Sequence, residues 1–291
     1  MKVLLIGANG QLGSDIVKVF QGKNDIELFP LTHKDIEVTD FQSVKKSVAL
    51  YGPEFIINTA AFHNVDRCEE EVESAFKVNA FAQVNLCKIC NEKDITYVFF
   101  STDYLFNGKK DVPYTEEDCP KPINIYGISK LAGELIIQYM LEKYYIVRVS
   151  GLYGATGPSG KKWNFVDLML AKAKQGEKIR VVDDQRLTPT STSDVANKLY
   201  ELIHVPEYGI YHMTNEGDCT WYEFAQCVFK IADLNPNLEP CKTGSFGNKA
   251  KRPRYSVLGN YALRSLGIEM KHWKKAVRQY LIGKNRTTRG L

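Results

Sequence analysis

Short apolar runs and longer amphipathic segments alternate along the first half of the chain. The opening "KVLLI" is continuously apolar, and after a glycine-bearing turn Ile16, Val19 and Phe20 recur at helical spacing. The runs "DIELFPL", "EFIINTAA", "ITYVFFST" and "YYIVRVSG" follow, each separated from the next by a segment of helix length. Uniformly apolar strands that alternate with helices are typical of a parallel sheet covered on both faces.

The pattern becomes less regular after about residue 150. The segments "NFVDLMLAKAKQG", "STSDVANKLYELI" and "TWYEFAQCVFKIA" have helical periodicity and lie between short strands. We therefore expect an α/β fold, a Rossmann-type doubly wound parallel sheet with a smaller α/β C-terminal subdomain. Residues 1–150 would form the NAD(P)-binding domain. Residues 151–291 would form mainly a substrate-binding subdomain, with segments that return to the Rossmann sheet.

Composition narrows the class of protein. The formal charge of +4 comes from a small excess of basic residues without a long basic run in the body of the chain, so nucleic acid is not an expected partner. No stretch approaches the apolar length that crosses a bilayer, and the chain enters its first strand without a basic leader. We therefore expect a cytoplasmic protein that needs no membrane.

The cysteines predict reduced thiols. There are seven, scattered along a long chain, which does not resemble a disulfide framework. Cys87 and Cys90 form the single C-x-x-C pair, within the helical run "AFAQVNLCKICNEKD". Because no His or second pair follows at zinc spacing, we interpret them as helix packing residues and expect no metal site.

A glycine turn joins the first strand to the first helix. Gly7, Gly10 and Gly13 form G-x-x-G-x-x-G directly after "KVLLI". Glycines in this place permit a tight turn and let the backbone approach a pyrophosphate, while the helix N-terminus offers free N–H groups. The turn predicts dinucleotide binding.

The end of the second strand bears on the choice of cofactor. NAD-binding versions of this turn carry an Asp or Glu there, which binds the ribose 2′-hydroxyl. This chain has Pro30 and Leu31 in that region, followed by Thr32, His33 and Lys34, which would tolerate or attract a 2′-phosphate. We therefore expect NADPH. The alternative is an exposed loop in an enzyme that also accepts NADH.

Two further groups of polar residues are placed for catalysis. The run "ITYVFFST" delivers Ser101 and Thr102 to the carboxyl end of a strand, where ligands bind in such sheets. A helix that begins near Tyr126 would carry Tyr126 and Lys130 on one face, one turn apart. A phenol with an ordinary pKa of about 10 is a poor acid or base near neutrality, and a neighbouring ammonium would lower that pKa. Together with the glycine turn, this arrangement predicts a catalytic Thr102, Tyr126 and Lys130.

Several longer runs carry a resemblance to a known family. They include "LLIGANGQLG", "IINTAAFHNVDRCEEEVESAFKVNA", "STDYLFNG", "NIYGISKLAGE", "RVSGLYG" and "VVDDQRLTPTSTSDVA", and they extend from residue 3 to about residue 228. The chain resembles the extended short-chain dehydrogenase/reductase family, and within it the dTDP-4-dehydrorhamnose reductase branch. "STDYLFNG" with "YGISKLAGE" is specific to this branch, whereas the glycine turn marks only the superfamily.

The resemblance implies a role for each matching position. The cofactor would be bound by Gly7, Gly10, Gln11, Leu12, Gly13, Glu37, Val38, Ala61, Phe62, His63, Asn79, Phe100, Tyr126 and Lys130. The substrate would be bound by Thr102, Asp103, Tyr104 and Tyr126. Two residues have an alternative interpretation, because Asn79 could simply tie a helix to a strand and Asp103 could be a turn cap.

The implied reaction is an NADPH-dependent reduction. The substrate would be dTDP-4-dehydro-L-rhamnose or a close nucleotide-linked 4-keto-6-deoxysugar, with Tyr126 as the proton donor. The alternatives are another nucleotide-sugar reductase or epimerase, and a non-catalytic NADP-binding regulator similar to the beta subunit of methionine adenosyltransferase. The resemblance also allows a homodimer.

One position departs from the family pattern. The family commonly carries "SWVYG" after the fifth strand, and this chain reads "SGLYG", with Gly151 in place of the Trp. An aromatic side chain buries a large apolar area, so its loss should enlarge or reshape the sugar pocket. We expect either a larger cavity with room for a Trp, or filling of the space by Leu152, Tyr153 or Trp163.

Overall fold

A computed structural model describes residues 1–157 and 163–289, with side chains through residue 284. The strands are β1 Lys2–Ile6, β2 Glu27–Leu31, β3 Phe55–Asn58, β4 Thr96–Thr102, β5 Tyr144–Val149, β6 Leu152–Tyr153, β7 Ile179–Val182, β8 Arg186–Leu187, β9 Thr190–Ser191, β10 Gly209–His212, β11 Cys219–Thr220 and β12 Leu238–Cys241. The α-helices are α1 Gln11–Phe20, α2 Phe41–Tyr51, α3 Val65–Glu70, α4 Val72–Phe76, α5 Ala82–Lys93, α6 Ile125–Met140, α7 Phe165–Lys174, α8 Thr192–Leu202, α9 Trp221–Ile231, α10 Tyr261–Ser265 and α11 Trp273–Arg289.

Six parallel strands form the central sheet, in the order β2, β1, β3, β4, β5, β10. The strand order reverses at β1, because β2 lies on one side of it and β3 on the other. Ligands of such sheets bind at the carboxyl ends of the strands beside this reversal. The predicted Rossmann-type fold is confirmed.

Alternate residues of β1 supply both faces of the sheet. Val3 and Leu5 pack in one apolar cluster with side chains of α1 and α8, whereas Leu4 and Ile6 pack in a second cluster with side chains of α2, α5 and α6. All four side chains are almost completely buried. Period-two alternation with both faces apolar explains why the strand reads as a continuous hydrophobic run.

The second half of the chain contributes to this sheet and also builds a separate layer. β10 pairs with β5, and α8 packs against α1. One further cluster joins α7, α9 and α11 around Tyr153, Phe224 and Val228, and another joins α7, α9 and β7 around Met169 and Phe229. Three two-stranded pairings, β11 with β8, β12 with β7, and β6 with β9, accompany these helices.

The cysteines are all free thiols. Cys87 and Cys90 are buried in α5, where they pack in the cluster beneath the sheet, and burial raises the pKa of the Cys87 thiol to about 12. Within the described ranges, no group of three or more His, Cys, Asp or Glu side chains is arranged to hold a metal ion. None of the helices in those ranges combines the length and the apolar character that a membrane span requires.

Candidate active site

The glycine turn between β1 and α1 is built from backbone groups in close contact. Gly7 has a φ of +84°, in the left-handed region that favours glycine. Its N–H and that of Ala8 donate to the Leu31 carbonyl at 2.9 and 3.0 Å, which fixes the turn against the end of β2. A Cβ on Gly13 would overlap the Gly7 carbonyl oxygen, so the start of α1 packs directly on the turn. The three glycines therefore meet at one place.

The N-terminus of α1 fits an anionic ligand. Gly10 is its N-cap and supplies no side-chain hydrogen bond to the first turn. The Gln11 side chain is buried, and its Oε1 atom has no hydrogen-bond partner. A helix end with free N–H groups and a positive dipole can bind a diphosphate. The residues present at the turn thus fit the predicted dinucleotide.

The loop after β2 contains an acid that the sequence reading overlooked. Thr32 follows the strand, and its N–H and hydroxyl both donate to Asp35 Oδ2, at 2.8 and 2.7 Å. These hydrogen bonds lower the pKa of the Asp35 carboxyl. His33 and Lys34 are exposed beside it, and His33 Nδ1 lies 3.5 Å from Glu37 Oε2. The basic character of this loop is therefore partly offset by Asp35 and Glu37.

Other predicted cofactor residues line the same edge of the sheet. Glu37 accepts hydrogen bonds from the Thr39 N–H and hydroxyl at 2.9 and 2.8 Å. Val38 and Phe100 are buried. Ala61, Phe62 and His63 are partly exposed in the loop that follows β3.

Asn79 is completely buried in a π-helical turn, Lys77–Phe81. Its Oδ1 accepts from the Phe62 N–H at 2.9 Å, and its Nδ2 donates to the Phe62 carbonyl at 3.1 Å and to Ser129 Oγ at 3.0 Å. The side-chain amide thus ties the loop after β3 to α6. This is the alternative role that the sequence allowed for Asn79, and it positions Phe62 at the edge of the cleft.

Thr102 and Tyr126 meet at the end of β4. The Thr102 hydroxyl hydrogen-bonds the Tyr126 phenol and donates to Asp103 Oδ1 at 3.1 Å. Tyr126 reaches this place because Asn124 caps α6, accepting from the Gly127 N–H at 2.8 Å. Thr102 and Ser101 point to opposite faces of the strand, and Ser101 Oγ is buried without a partner. The structure therefore brings together Thr102 and Tyr126, as the sequence predicts.

Asp103 joins three separate segments. It is buried, and its Oδ2 accepts from Ser150 Oγ at 2.9 Å and from Ser256 Oγ at 2.5 Å. Burial raises the pKa of the Asp103 carboxyl to about 6, and these hydroxyl groups oppose the rise. Asp103 thus connects Thr102 to Ser150 and Ser256 through hydrogen bonds. The sequence analysis did not single out these two distant serines.

Lys130 is buried one turn beyond Tyr126. Its Nζ lies 3.7 Å from the centre of the Phe99 ring, and burial lowers its pKa to about 7. The Tyr126 phenol has a pKa above its ordinary value, chiefly because of burial. The expectation that the ammonium lowers the phenol pKa is therefore wrong for the protein alone, since desolvation outweighs it. A phenol that stays protonated at neutral pH can donate a proton.

Arg252 reaches the site from the C-terminal half. Its guanidinium hydrogen-bonds the Tyr104 phenol, and its Nη2 lies 2.7 Å from Asp66 Oδ2. The Tyr104 ring packs edge to face with the Tyr126 ring, with 6.0 Å between centres. Nothing in the spacing around "KRPRYSVLGN" connects Arg252 with Tyr104, because the two lie far apart in sequence.

Gly151 does not leave an open pocket, so the expected larger cavity is wrong and the alternative, a space filled by other residues, is confirmed. Its φ is +53°, and an added Cβ would lie 2.8 Å from Leu187 Cδ1, 3.0 Å from the Thr188 oxygen and 3.2 Å from Pro189 Cα. The space is filled by β8 and the residues that follow it. The sequence analysis did not name Leu187, Thr188 or Pro189 for this space.

The comparison with protein families assigns the chain to one family. The family model described as the RmlD substrate binding domain matches residues 1–285. The chain belongs to this family. The match spans both the sheet with its glycine turn and the C-terminal layer, so membership covers the whole candidate site.

Individual relatives of this family match the chain from end to end. The spore coat polysaccharide biosynthesis protein SpsK of Bacillus subtilis (strain 168) is 39% identical, with 96% of each chain covered. The structure of a dTDP-4-dehydrorhamnose reductase from Clostridium acetobutylicum has a TM-score of 0.92 at 38% identity, covering 98% of this chain and 100% of that one. The dTDP-4-dehydrorhamnose reductase from Bacillus anthracis str. Ames, in complex with NADP, has a TM-score of 0.91 at 37% identity, with coverages of 97% and 99%.

Proposed function

We propose that this RmlD-family chain uses NADPH to reduce the 4-keto group of dTDP-4-dehydro-L-rhamnose or a close nucleotide-linked 4-keto-6-deoxysugar. The observation that carries the proposal is the hydrogen-bonded pair of Thr102 and Tyr126 at the carboxyl edge of the sheet. The glycine turn lies at the same edge, in a chain that matches the reductases along its whole length. In this proposal, residues 1–150 bind mainly the cofactor and residues 151–291 mainly the substrate.

The cofactor would be held by backbone and by Lys130. Gly7, Gly10 and Gly13 would admit the diphosphate at the start of α1, as the free helix end and the close packing of the turn suggest. Lys130 would hold the nicotinamide ribose from α6. When bound, NADPH supplies the hydride that the carbonyl carbon of the sugar accepts.

Tyr126 would supply the proton. Its raised pKa keeps the phenol protonated near neutral pH, which is the form needed to protonate the oxygen that becomes a hydroxyl. When the sugar binds, the single Thr102 hydroxyl proton would turn from Asp103 Oδ1 to the same oxygen and stabilise the negative charge that develops there. Asp103 would accept the Thr102 proton in the absence of substrate, and Tyr104 would contact the sugar beside Tyr126.

Substituting Tyr126 tests the proposal. Tyr126→Phe keeps the ring and deletes the proton donor, so turnover should fall by about 10²- to 10⁴-fold. The measurement is loss of nicotinamide absorbance with NADPH and the 4-keto sugar nucleotide. NADPH binding, followed by fluorescence, should remain within about twofold of the native value because the ring and Lys130 are kept.

The matched control lies on the same helix. Tyr139 is 90% exposed on α6, so Tyr139→Phe should leave both turnover and cofactor binding unchanged. Near-native turnover of Tyr126→Phe would remove Tyr126 from the mechanism. If the native protein binds NADPH but consumes none with any 4-keto sugar nucleotide, the non-catalytic regulator becomes the better assignment. Interconversion of sugar epimers without net NADPH consumption would indicate the epimerase alternative.

A further inference from the structure

A row of buried charged and polar groups extends from Lys130 across the sheet. Lys130 and Glu134 are one turn apart on α6, and their exposed fractions are 1% and 0%. Arg148 lies on β5, and His212 lies opposite it on β10. Buried charges are retained in proteins only when they are paired or functional, so this row calls for an explanation.

Glu134 and Arg148 form a close ion pair. Arg148 Nη2 donates to Glu134 Oε2 at 2.7 Å, and Arg148 Nε donates to Oε1 at 3.0 Å. The remaining side of the guanidinium faces His212, with 3.4 Å between Nη1 and Nε2. Burial, assisted by the Arg148 charge, lowers the pKa of His212 to about 3, so His212 stays neutral. The Glu134 carboxylate is therefore paired with Arg148, and Lys130 lies one helical turn from the same carboxylate on α6.

Among the described residues, Lys130 forms no close ion pair of its own. The titratable groups on the elements packed against α6 include Cys68 and Glu69 on α3, Glu73 on α4, Lys77 on the π-helical turn, Cys87 and Cys90 on α5, Tyr97 on β4, Asp103 and Tyr104 after β4, and Tyr144 and Arg148 on β5. Among these described groups and those of α6 itself, Glu134 is the one whose charge raises the pKa of Lys130. The Phe99 ring provides the only other contact of the ammonium that favours a cation among the described residues.

We propose that Glu134 is a positioning residue whose carboxylate keeps Lys130 in its ammonium form, and that Arg148 holds this carboxylate in place and limits its effect. The Glu134 side chain touches neither cofactor nor substrate in this proposal and acts through Lys130. The consequence for catalysis rests on the role of Lys130 proposed above, whereas the electrostatic coupling does not.

The two partners of the ion pair should act in opposite directions. Glu134→Gln removes the counter-ion and leaves Arg148 as an unpaired like charge, so the Lys130 pKa should fall well below 7. Arg148→Met leaves the carboxylate to Lys130 alone, so the Lys130 pKa should rise. The double variant removes both charges, and its Lys130 pKa should fall, but less than in Glu134→Gln. A shift of one pKa unit changes the ratio of ammonium to amine about tenfold at a given pH.

The experiment measures Lys130 directly. The protein without cofactor is labelled with ¹³C at the lysine ε carbon and titrated by NMR, and the Lys130 signal is identified by its absence in Lys130→Met. From highest to lowest, the expected order of the Lys130 pKa is Arg148→Met, the native protein, the double variant and Glu134→Gln. An unchanged Lys130 pKa in the double variant would overturn the proposal, and so would a shift in the same direction in both single variants.

The experiment remains decisive if one of the single variants fails to fold. Removing one partner of a buried ion pair is strongly destabilising, whereas replacing both by uncharged groups is often tolerated, so the double variant decides if a single variant is unstable. The activity measurement is separate. If the NMR pKa values follow the expected order but the alkaline limb of kcat/KM does not move with them, the proposed role of Lys130 fails and the coupling to Glu134 stands.

Discussion

Different kinds of contact form the two sides of the candidate site. On the side proposed to bind the cofactor (the cofactor side), Gly7, Gly13 and the Leu31 carbonyl bring backbone against backbone within one β-α-β segment. On the side proposed to bind the substrate (the substrate side), Asp103 accepts hydrogen bonds from the hydroxyl groups of Ser150 and Ser256, which lie 47 and 153 residues away. The first side depends on the absence of side chains, and the second depends on buried polar side chains from several segments. Substitutions should therefore affect the two sides by different mechanisms.

Among the substitutions that test this contrast, an added methyl group on the cofactor side should have the largest effect. In Gly13→Ala, the Cβ would overlap the Gly7 carbonyl oxygen, and the backbone on both sides of the contact belongs to the turn. We expect NADPH binding to weaken by at least about 150-fold, or ~3 kcal/mol, because the turn must move away from the position that admits a diphosphate. Fluorescence titration with NADPH measures this change.

Gly22→Ala is the matched control for this prediction. Gly22 follows the other end of α1, and its nearest contact from an added Cβ is 3.5 Å, an ordinary van der Waals distance. The control should bind NADPH as the native protein does. If Gly13→Ala bound NADPH with native affinity, the turn would be able to accommodate the added Cβ. The contrast between the two sides would then be contradicted.

A smaller effect, with a distinct dependence on pH, is expected on the substrate side. The Asp103 pKa is about 6 in the folded protein, mainly through burial, and about 3.9 in an unfolded chain. Between these values the folded state binds more protons than the unfolded state, so stability falls as pH rises from about 4 to 6. Asp103→Asn removes the titrating carboxyl and with it this pH-dependent loss of stability. The free energy of unfolding of the variant, relative to the native protein, should therefore rise by about 2 to 3 kcal/mol between pH 4 and 6.

Urea unfolding at several pH values measures this difference. Asp66→Asn provides a control of opposite sign, because hydrogen bonding to Arg252 lowers the Asp66 pKa, so the native carboxylate loses its stabilising effect as pH falls. A difference between Asp103→Asn and the native protein that stays constant from pH 4 to 7 would contradict the burial of a titrating carboxyl at this position.

This contrast also explains what the sequence could predict. The glycine turn, the strand that ends at Thr102 and the helix that begins near Tyr126 are local patterns, and the sheet order follows from repeated β-α units. The contacts of Asp103 with Ser256, and of Tyr104 with Arg252, join segments about 150 residues apart. Such pairs depend on how the C-terminal layer packs against the sheet, and no short-range spacing in one sequence reports that packing.

The residues that fill the space beside Gly151 escaped prediction for the same reason. A comparison of "SGLYG" with the family pattern shows which side chain is missing, but only the packing of β8 shows that Leu187 fills the space. The effect of the Lys130 ammonium on Tyr126 was also misjudged, because the desolvation of a buried phenol depends on the complete enclosure of the site.

A third prediction separates crowding from backbone strain on the substrate side. Gly151 and Gly52 have φ values of +53° and +55°, but an added Cβ meets close neighbours at Gly151 and nothing within 4 Å at Gly52. Gly52→Ala should cost about 1 kcal/mol through the left-handed backbone alone, and Gly151→Ala should cost about 2 kcal/mol through strain and overpacking together. Thermal or urea unfolding gives both values. Equal costs would mean that β8 yields without loss, and that a larger side chain could be accommodated there.

The smallest effect is expected at the outer rim of the cofactor side, where side chains rather than backbone would meet the cofactor. Lys34 is exposed after β2, and Asp35 beside it is tied to Thr32. An exposed charge contributes about 0.2 to 1 kcal/mol to an ionic contact, so Lys34→Ala should raise the KM for NADPH about two- to fivefold and leave the KM for NADH unchanged. Lys45→Ala, on the exposed surface of α2, is the control and should change neither value. Steady-state kinetics with both cofactors at low salt provide the measurement. An equal rise in both KM values would show that Lys34 acts on the loop rather than on the 2′-phosphate, and the NADPH preference would then have to come from other residues at this edge.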